Sequence, residues 1–155
     1  MSRVQLALRV SDLEGSIEFY RSLFGVEPAK LRPGYANFAI VEPPLKLVLI
    51  EGEPNHATVL DHLGVEVATT DEVTAATTRL AGLGLATLEE NDTTCCYAVQ
   101  DKVWLHGPGA EPWEVYVVKA DAPHDTSLRR DTDDSAGCEC GTPATADGHK
   151  LAACC

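Results

Sequence analysis

Apolar positions recur along the chain with two periods, and the change from one period to the other happens twice in the same order. "VQLALRV" (4–10) alternates, as a half-buried strand does. The next stretch, "SDLEGSIEFYRSLFG", changes to helical spacing, with Ile17, Tyr20, Leu23 and Phe24 on one face. Ser11 or Asp12 is placed to cap its N-terminus, and Gly25 sits where a helix C-cap is expected. Two short strand patterns follow, "YANFAIVE" and "LKLVLIE". "DHLGVEV" then restarts the sequence of events. Thr70 or Asp71 is placed to cap a second helix, Val73, Thr77 and Leu80 share its face, and Gly82 or Gly84 ends it. "TTCCYAVQ", "KVWLHG" and "EPWEVYVV" read as three closing strands. Pro43-Pro44 and Gly107-Pro108-Gly109 supply breaks. The pattern is βαβββ, twice. It predicts an α+β fold in which two paired modules, about 1–52 and 59–119, build a curved mixed sheet within one domain, 1–119.

From Ala120 onward the character changes. "ADAPHDTSLRRDTDDSAGCECGTPATADGHKLAACC" lacks aromatic residues and is rich in Asp, Ala, Thr, Gly and Pro. Such a segment has too little apolar surface to offset the entropy of ordering, so 120–155 is expected to be a disordered tail.

Composition narrows the function classes. A chain of 155 residues with 45% hydrophobic and 23% charged residues is globular. Its net charge of -12 argues against nucleic acid, which needs a basic face. The longest apolar runs are strand-sized, so no membrane partner is expected. The N-terminus lacks the pattern of a secretory signal, which points to the cytoplasm. A small molecule is the expected partner, and a homodimer is compatible with the sequence.

The cysteines sharpen this picture. There are six, and each has another within two positions: Cys95-Cys96, Cys138-x-Cys140 and Cys154-Cys155. In a cytoplasmic chain reduced thiols are expected rather than a disulfide framework. Close pairs of thiols suit a soft metal or metalloid. Buried free cysteine is common as an inert core residue, but an adjacent pair beside a candidate metal site favours function. On a regular strand, adjacent side chains point to opposite faces. Joint action by Cys95 and Cys96 therefore calls for a bulge, kink or strand end there, with 91–94 as the preceding turn.

Overlaying the two modules on their first strands places Gln5 on His62. Overlaying their last strands places Lys46 on Glu114. If the paired sheets curl, these four positions line one concave surface, and Gln5, His62 and Glu114 are potential metal ligands. His62 alone reads as an ordinary strand histidine, and Gln5 as an ordinary strand residue; the alignment is what changes the odds. Glu114, between Trp113 and Val115, would be costly to bury unpaired. A cation is the simplest compensation, and an Arg or Lys partner is the alternative. His56, His106, His124 and His149 have no comparable context. Tyr97, Trp104 and Trp113 read as core or pocket wall. Lys102 reads as solvated or as acting electrostatically at the pocket, and the 102–112 hairpin as a connection or a gate.

"VSDLEGSIEFYRSLFG", "DHLGVEV" and "GPGAEPWEVYVV" together resemble the vicinal oxygen chelate superfamily of glyoxalase I, extradiol dioxygenases and bleomycin-resistance proteins. That resemblance covers roughly the first 120 residues. It implies a fold that carries metal ligands on the first and last strands of its modules, which map to Gln5, His62 and Glu114. Many relatives have His where this chain has Gln5. Within the superfamily, "RPGYANFAI", "EPPLKLVLIE", "LDHLGVEV" and "NDTTCCYAVQDKVW" look like the organoarsenical C–As lyases and the related cadmium-induced proteins. The resemblance implies a cytoplasmic non-haem iron(II) dioxygenase conferring organoarsenical resistance. It would use molecular oxygen to cleave the C–As bond of trivalent organoarsenicals, such as methylarsenite or aromatic arsenicals, and release inorganic arsenite. His62 and Glu114 would be catalytic through the metal, and Cys95 and Cys96 would bind the substrate. The tail cysteines Cys138, Cys140, Cys154 and Cys155 would capture or transfer the metalloid. The competing readings are a non-enzymatic thiol protein that sequesters cadmium or arsenite, and a thiol transferase or isomerase using another divalent ion.

Overall fold

In a computed structural model of the chain, describing residues 2–85, 87–95 and 97–123, the doubled βαβββ order is present, its first module completed by a short strand, Lys30–Arg32, that neither sequence pattern after the first helix included. The elements are β1 (Arg3–Val10), α1 (Leu13–Phe24), β2 (Lys30–Arg32), β3 (Tyr35–Ile40), β4 (Leu45–Glu51), β5 (Val59–Glu66), α2 (Thr70–Gly82), β6 (Leu88–Cys95), β7 (Ala98–His106) and β8 (Pro112–Asp121). This is βαβββ repeated. The chain divides into two compact units, one ending at Glu66 and the other beginning at Val67.

In the first unit the strands run in the order β2-β3-β4-β1-β5. β1 pairs parallel with β4 and antiparallel with β5. Alternation along β1 divides its side chains between the two faces of the sheet. Leu6, Leu8 and Val10 pack with Ala36, Phe38, Ile40, Leu47 and Leu49 into an apolar core, against Leu13, Ile17, Tyr20 and Phe24 of α1. Arg3, Gln5, Ala7 and Arg9 take the opposite face. Asp12 caps α1, its carboxylate accepting from Gly15 N at 2.8 Å, and Gly25 closes the helix at φ 66, where a Cβ would be strained. Leu23, expected on the buried face, is 58% exposed. Leu13, Ile17, Tyr20 and Phe24 suffice to cover the apolar face, and the rest of α1 faces solvent.

In the second unit β7 lies between β8 and β6, antiparallel to both. Val73, Thr77 and Leu80 are the buried residues of α2, as its spacing predicts, and Val73 and Leu80 pack on Val103 and Val117. The helix starts one residue earlier than expected. Thr69, not Thr70 or Asp71, is its N-cap, because Glu72 completes a capping box with it. The C-cap is Leu83, with Gly84 next at φ 79.

The closing strands are divided differently from the sequence expectation. "AVQDKVWLH" is one strand, β7, and the reversal comes before it, since Cys95 pairs with Ala98 across a two-residue connection. Residues 91–94 are not a turn but part of β6, interrupted by a shift of register between Glu90 and Thr93. Asp92 takes a positive φ of 54, and its amide donates to Asp101 Oδ1 at 2.8 Å. β8 continues past Lys119 to Asp121, paired with Ala98 and Val99 of β7, and Ala122 N donates to Tyr97 O. The expected tail beyond Pro123, with His124, His149, Cys138, Cys140, Cys154 and Cys155, lies outside the described residues.

Candidate functional site

On the face of the first unit turned away from the apolar core, polar side chains meet in two groups. In one, Glu66 binds Arg3 at 3.0 Å and Lys46 at 3.2 Å. Lys46 stands directly across from Gln5 in the β1–β4 register. The other group is a chain of four. Arg9 Nε donates to Asp61 Oδ2 at 2.5 Å, Asp61 Oδ1 lies 2.7 Å from His62 Nδ1, and His62 Nε2 lies 2.9 Å from Gln5 Nε2. Gln5, Asp61 and His62 are all buried.

Two neighbours on a strand should not share a face, yet Asp61 and His62 touch. The register explains it. Ala7 pairs with His62 and Leu8 with Leu60, so Asp61 is the extra residue of a β-bulge. A bulge re-aims the side chain it displaces. The Asp61 carboxylate only accepts hydrogen bonds, so the His62 proton sits on Nδ1 and Nε2 is left with its lone pair. Gln5 then donates to that lone pair.

In the second unit Glu114 Oε2 accepts from Lys102 Nζ at 2.8 Å, with side-chain exposures of 3% and 1%. The alternative of a basic partner for Glu114 is therefore realised in this structure. Lys102, expected to be solvated, is among the most buried side chains, and its ammonium lies 5.1 Å from the centroid of Trp104. Its neighbour Asp101 points the other way and organises the bulge in β6. Asp101 accepts from Asp92 N, Thr70 Oγ1 and Lys119 Nζ. The hydrogen bond from the Asp92 amide, followed by that from Thr70, holds its carboxyl below the usual aspartate value, against the effect of desolvation.

Cys95 ends β6, as joint action of the cysteine pair required, and is 1% exposed. Gln100 Nε2 donates to its carbonyl at 3.2 Å. Cys95 is disulfide-bonded, where a free thiol was expected. Cys96 lies outside the described residues. The structure thus brings Gln5 and His62 together and gives Glu114 a lysine partner. Among the described residues no three His, Cys, Asp or Glu side chains converge as a metal cluster.

Two side chains of ligand type meet in the first unit, with the Gln5 amide turned so that its nitrogen faces His62 Nε2. A neutral imidazole nitrogen with a fixed tautomer and an amide side chain at hydrogen-bond distance from it are both competent ligand types. Asp61 and Arg9 were not singled out from the sequence. The signal available for Asp61 was its adjacency to His62, which strand alternation argues against; the bulge overrides it.

The sequence profile of the Glyoxalase/Bleomycin resistance protein/Dioxygenase superfamily matches residues 3–115. The chain is 65% identical over 155 residues, the whole of both chains, to a protein of Thermomonospora curvata named "Trivalent organoarsenical cleaving enzyme". It is 58% identical over 137 residues to the "Cadmium-induced protein CadI" of Mycobacterium tuberculosis, covering 88% of this chain and 90% of that one. Among solved structures an extradiol ring-cleaving dioxygenase from B. fuscum superposes with a TM-score of 0.58 at 22% identity, over 77% of this chain and 33% of that one. Its likeness concerns the fold. The doubled βαβββ order is that of the vicinal oxygen chelate fold, and the chain belongs to the Glyoxalase/Bleomycin resistance protein/Dioxygenase superfamily, in the family of the organoarsenical-cleaving and cadmium-induced relatives.

Proposed function

We propose that this chain is an iron(II)-dependent dioxygenase that cleaves the C–As bond of trivalent organoarsenicals, methylarsenite among them, and releases inorganic arsenite. The observation that carries the proposal is full-length 65% identity to an enzyme named for that cleavage, in a chain whose Gln5 and His62 side chains meet at 2.9 Å. Gln5, His62 and Glu114 would hold the metal. Iron supplies oxygen activation when bound. His62 offers Nε2, Gln5 its amide oxygen after the side chain turns, and Glu114 a carboxylate that Lys102 otherwise neutralises. Cys95 and Cys96, once reduced, hold arsenic through two As–S bonds, each thiol proton leaving with a hydroxyl of the arsenical as water. Capture of this kind replaces a chance encounter with a positioned one. Among the described residues no helix is long and apolar enough to cross a membrane.

Identity to the cadmium-induced proteins favours a second reading, stoichiometric thiol-based sequestration of cadmium or arsenite. The two separate in one assay. Reduced protein is incubated with ferrous iron, air and methylarsenite, and inorganic arsenite is measured. Release beyond one equivalent, lost without oxygen or iron, supports the lyase. Stoichiometric retention of arsenic without product supports sequestration and sinks the lyase.

A further inference from the structure

We infer that Asp61, held by Arg9, is a positioning residue that locks His62 in the Nδ1–H tautomer and so presents the Nε2 lone pair beside Gln5. The bulge in β5 brings Asp61 onto the His62 side of the strand, and its carboxylate spans Arg9 Nε at 2.5 Å and His62 Nδ1 at 2.7 Å. Both Asp61 oxygens are committed. Arginine has donors only, so one oxygen always goes to Arg9, and the other, also only an acceptor, takes the imidazole proton at Nδ1. A partner of this kind raises the basicity of the imidazole and fixes the ring. The four-residue chain from Arg9 to Gln5 has one consistent direction of donation at its centre, and Asp61 sets it.

The same directionality gives a test that a merely structural role would not pass. In Asp61→Asn the shape is kept, but Arg9 claims the only amide oxygen. The Asn nitrogen then faces Nδ1 as a donor, and the imidazole proton moves to Nε2. Adding Arg9→Met frees the amide to turn and present its oxygen to Nδ1, restoring the original tautomer. Arg9→Met alone leaves the carboxylate on His62 and should change the tautomer little.

Two readouts are taken on full-length folded protein, checked by circular dichroism. Imidazole nitrogen NMR on the metal-free protein, with His62 assigned by its loss in His62→Gln, is expected to show Nδ1–H in wild type, Nε2–H in Asp61→Asn and Nδ1–H again in the double variant. Cobalt(II) titration, followed by its ligand-field absorption, is expected to show affinity falling about 10–100-fold in Asp61→Asn. The double variant should regain at least about tenfold, the non-additivity that marks coupled residues. An unchanged His62 tautomer in Asp61→Asn, or a double variant no better than the single, overturns the role of Asp61. The affinity arm rests on the proposed metal site; the tautomer arm does not. A wild-type protein that takes no cobalt therefore sinks the metal reading while the NMR result still decides the role of Asp61.

Discussion

Gln5 presents its side-chain nitrogen, not its oxygen, to His62 Nε2, 2.9 Å away. The lone pair that a cation would use is occupied by a hydrogen bond, and the amide must turn to offer its oxygen as a ligand. A Gln5→His variant has no such oxygen to expose and supplies a second imidazole, completing the two-histidine, one-carboxylate set usual for oxygen-activating iron. Its expected iron(II) affinity is higher than wild type. Gln5→Leu is expected to lose more than about 100-fold, beyond the roughly 10–100-fold typical of outer-shell partners. Anaerobic iron titration of the three proteins checks the order; a Gln5→Leu protein that binds iron like wild type removes Gln5 from the ligand set.

Lys102 and Glu114 form a buried ion pair. Removing one partner takes a buried, hydrogen-bonded counter-charge from the other, a loss of about 3–5 kcal/mol. Lys102→Met is therefore expected to melt well below wild type without metal. If Glu114 is a ligand, saturating divalent cation replaces the missing ammonium and stabilises Lys102→Met more than it stabilises wild type. Thermal unfolding of both proteins with and without cobalt(II) measures the difference, and equal stabilisation of the two argues that Glu114 does not reach the metal.

Much of the fold was legible because period and punctuation agree. The buried face of α2, the Asp12 cap and the doubled element order follow directly from spacing. The α2 cap was misplaced by one residue through a local contact, Glu72 with Thr69, but three other features depend on contacts that sequence spacing does not show. The turn expected at 91–94 is a strand irregularity because Asp101 accepts the Asp92 amide. Lys102 looked solvated because nothing near it in sequence shows that Glu114, twelve residues on, lies within reach. Asp61 was passed over because strand alternation sets it opposite His62, and only pairing with β1 reveals the bulge.

Asp101 yields a pH prediction with a definite sign. Its carboxyl titrates below the ordinary aspartate value, near 3.8, chiefly through the Asp92 amide and Thr70. A depressed carboxylate contributes stability that is fully present above the unfolded value and is lost as pH falls through the folded one. Wild type should therefore lose stability below about pH 4. Asp101→Asn should be less stable than wild type at neutral pH and show a shallower acid limb. Denaturant unfolding from neutral to strongly acid pH measures both slopes; parallel acid limbs would mean that the Asp101 contacts do not matter to folding.

Cys95 is disulfide-bonded and buried at the end of β6. A sulfur engaged in a disulfide cannot act as the thiolate that binds trivalent arsenic. Capture by Cys95 and Cys96 is thus expected to need reduction first. The tail cysteines would obscure this, since they are thiols too. A chain ending at Pro123 retains every described strand and leaves Cys95 and Cys96 as its only cysteines. Native mass spectrometry of this shortened protein with a trivalent organoarsenical should show one bound arsenical per chain after reduction and none after mild oxidation. Cys95→Ser in the full chain should abolish turnover, whereas the shortened chain should largely keep it. The reverse pattern, an active Cys95→Ser protein and an inactive shortened one, would move the substrate thiols into the segment beyond Pro123.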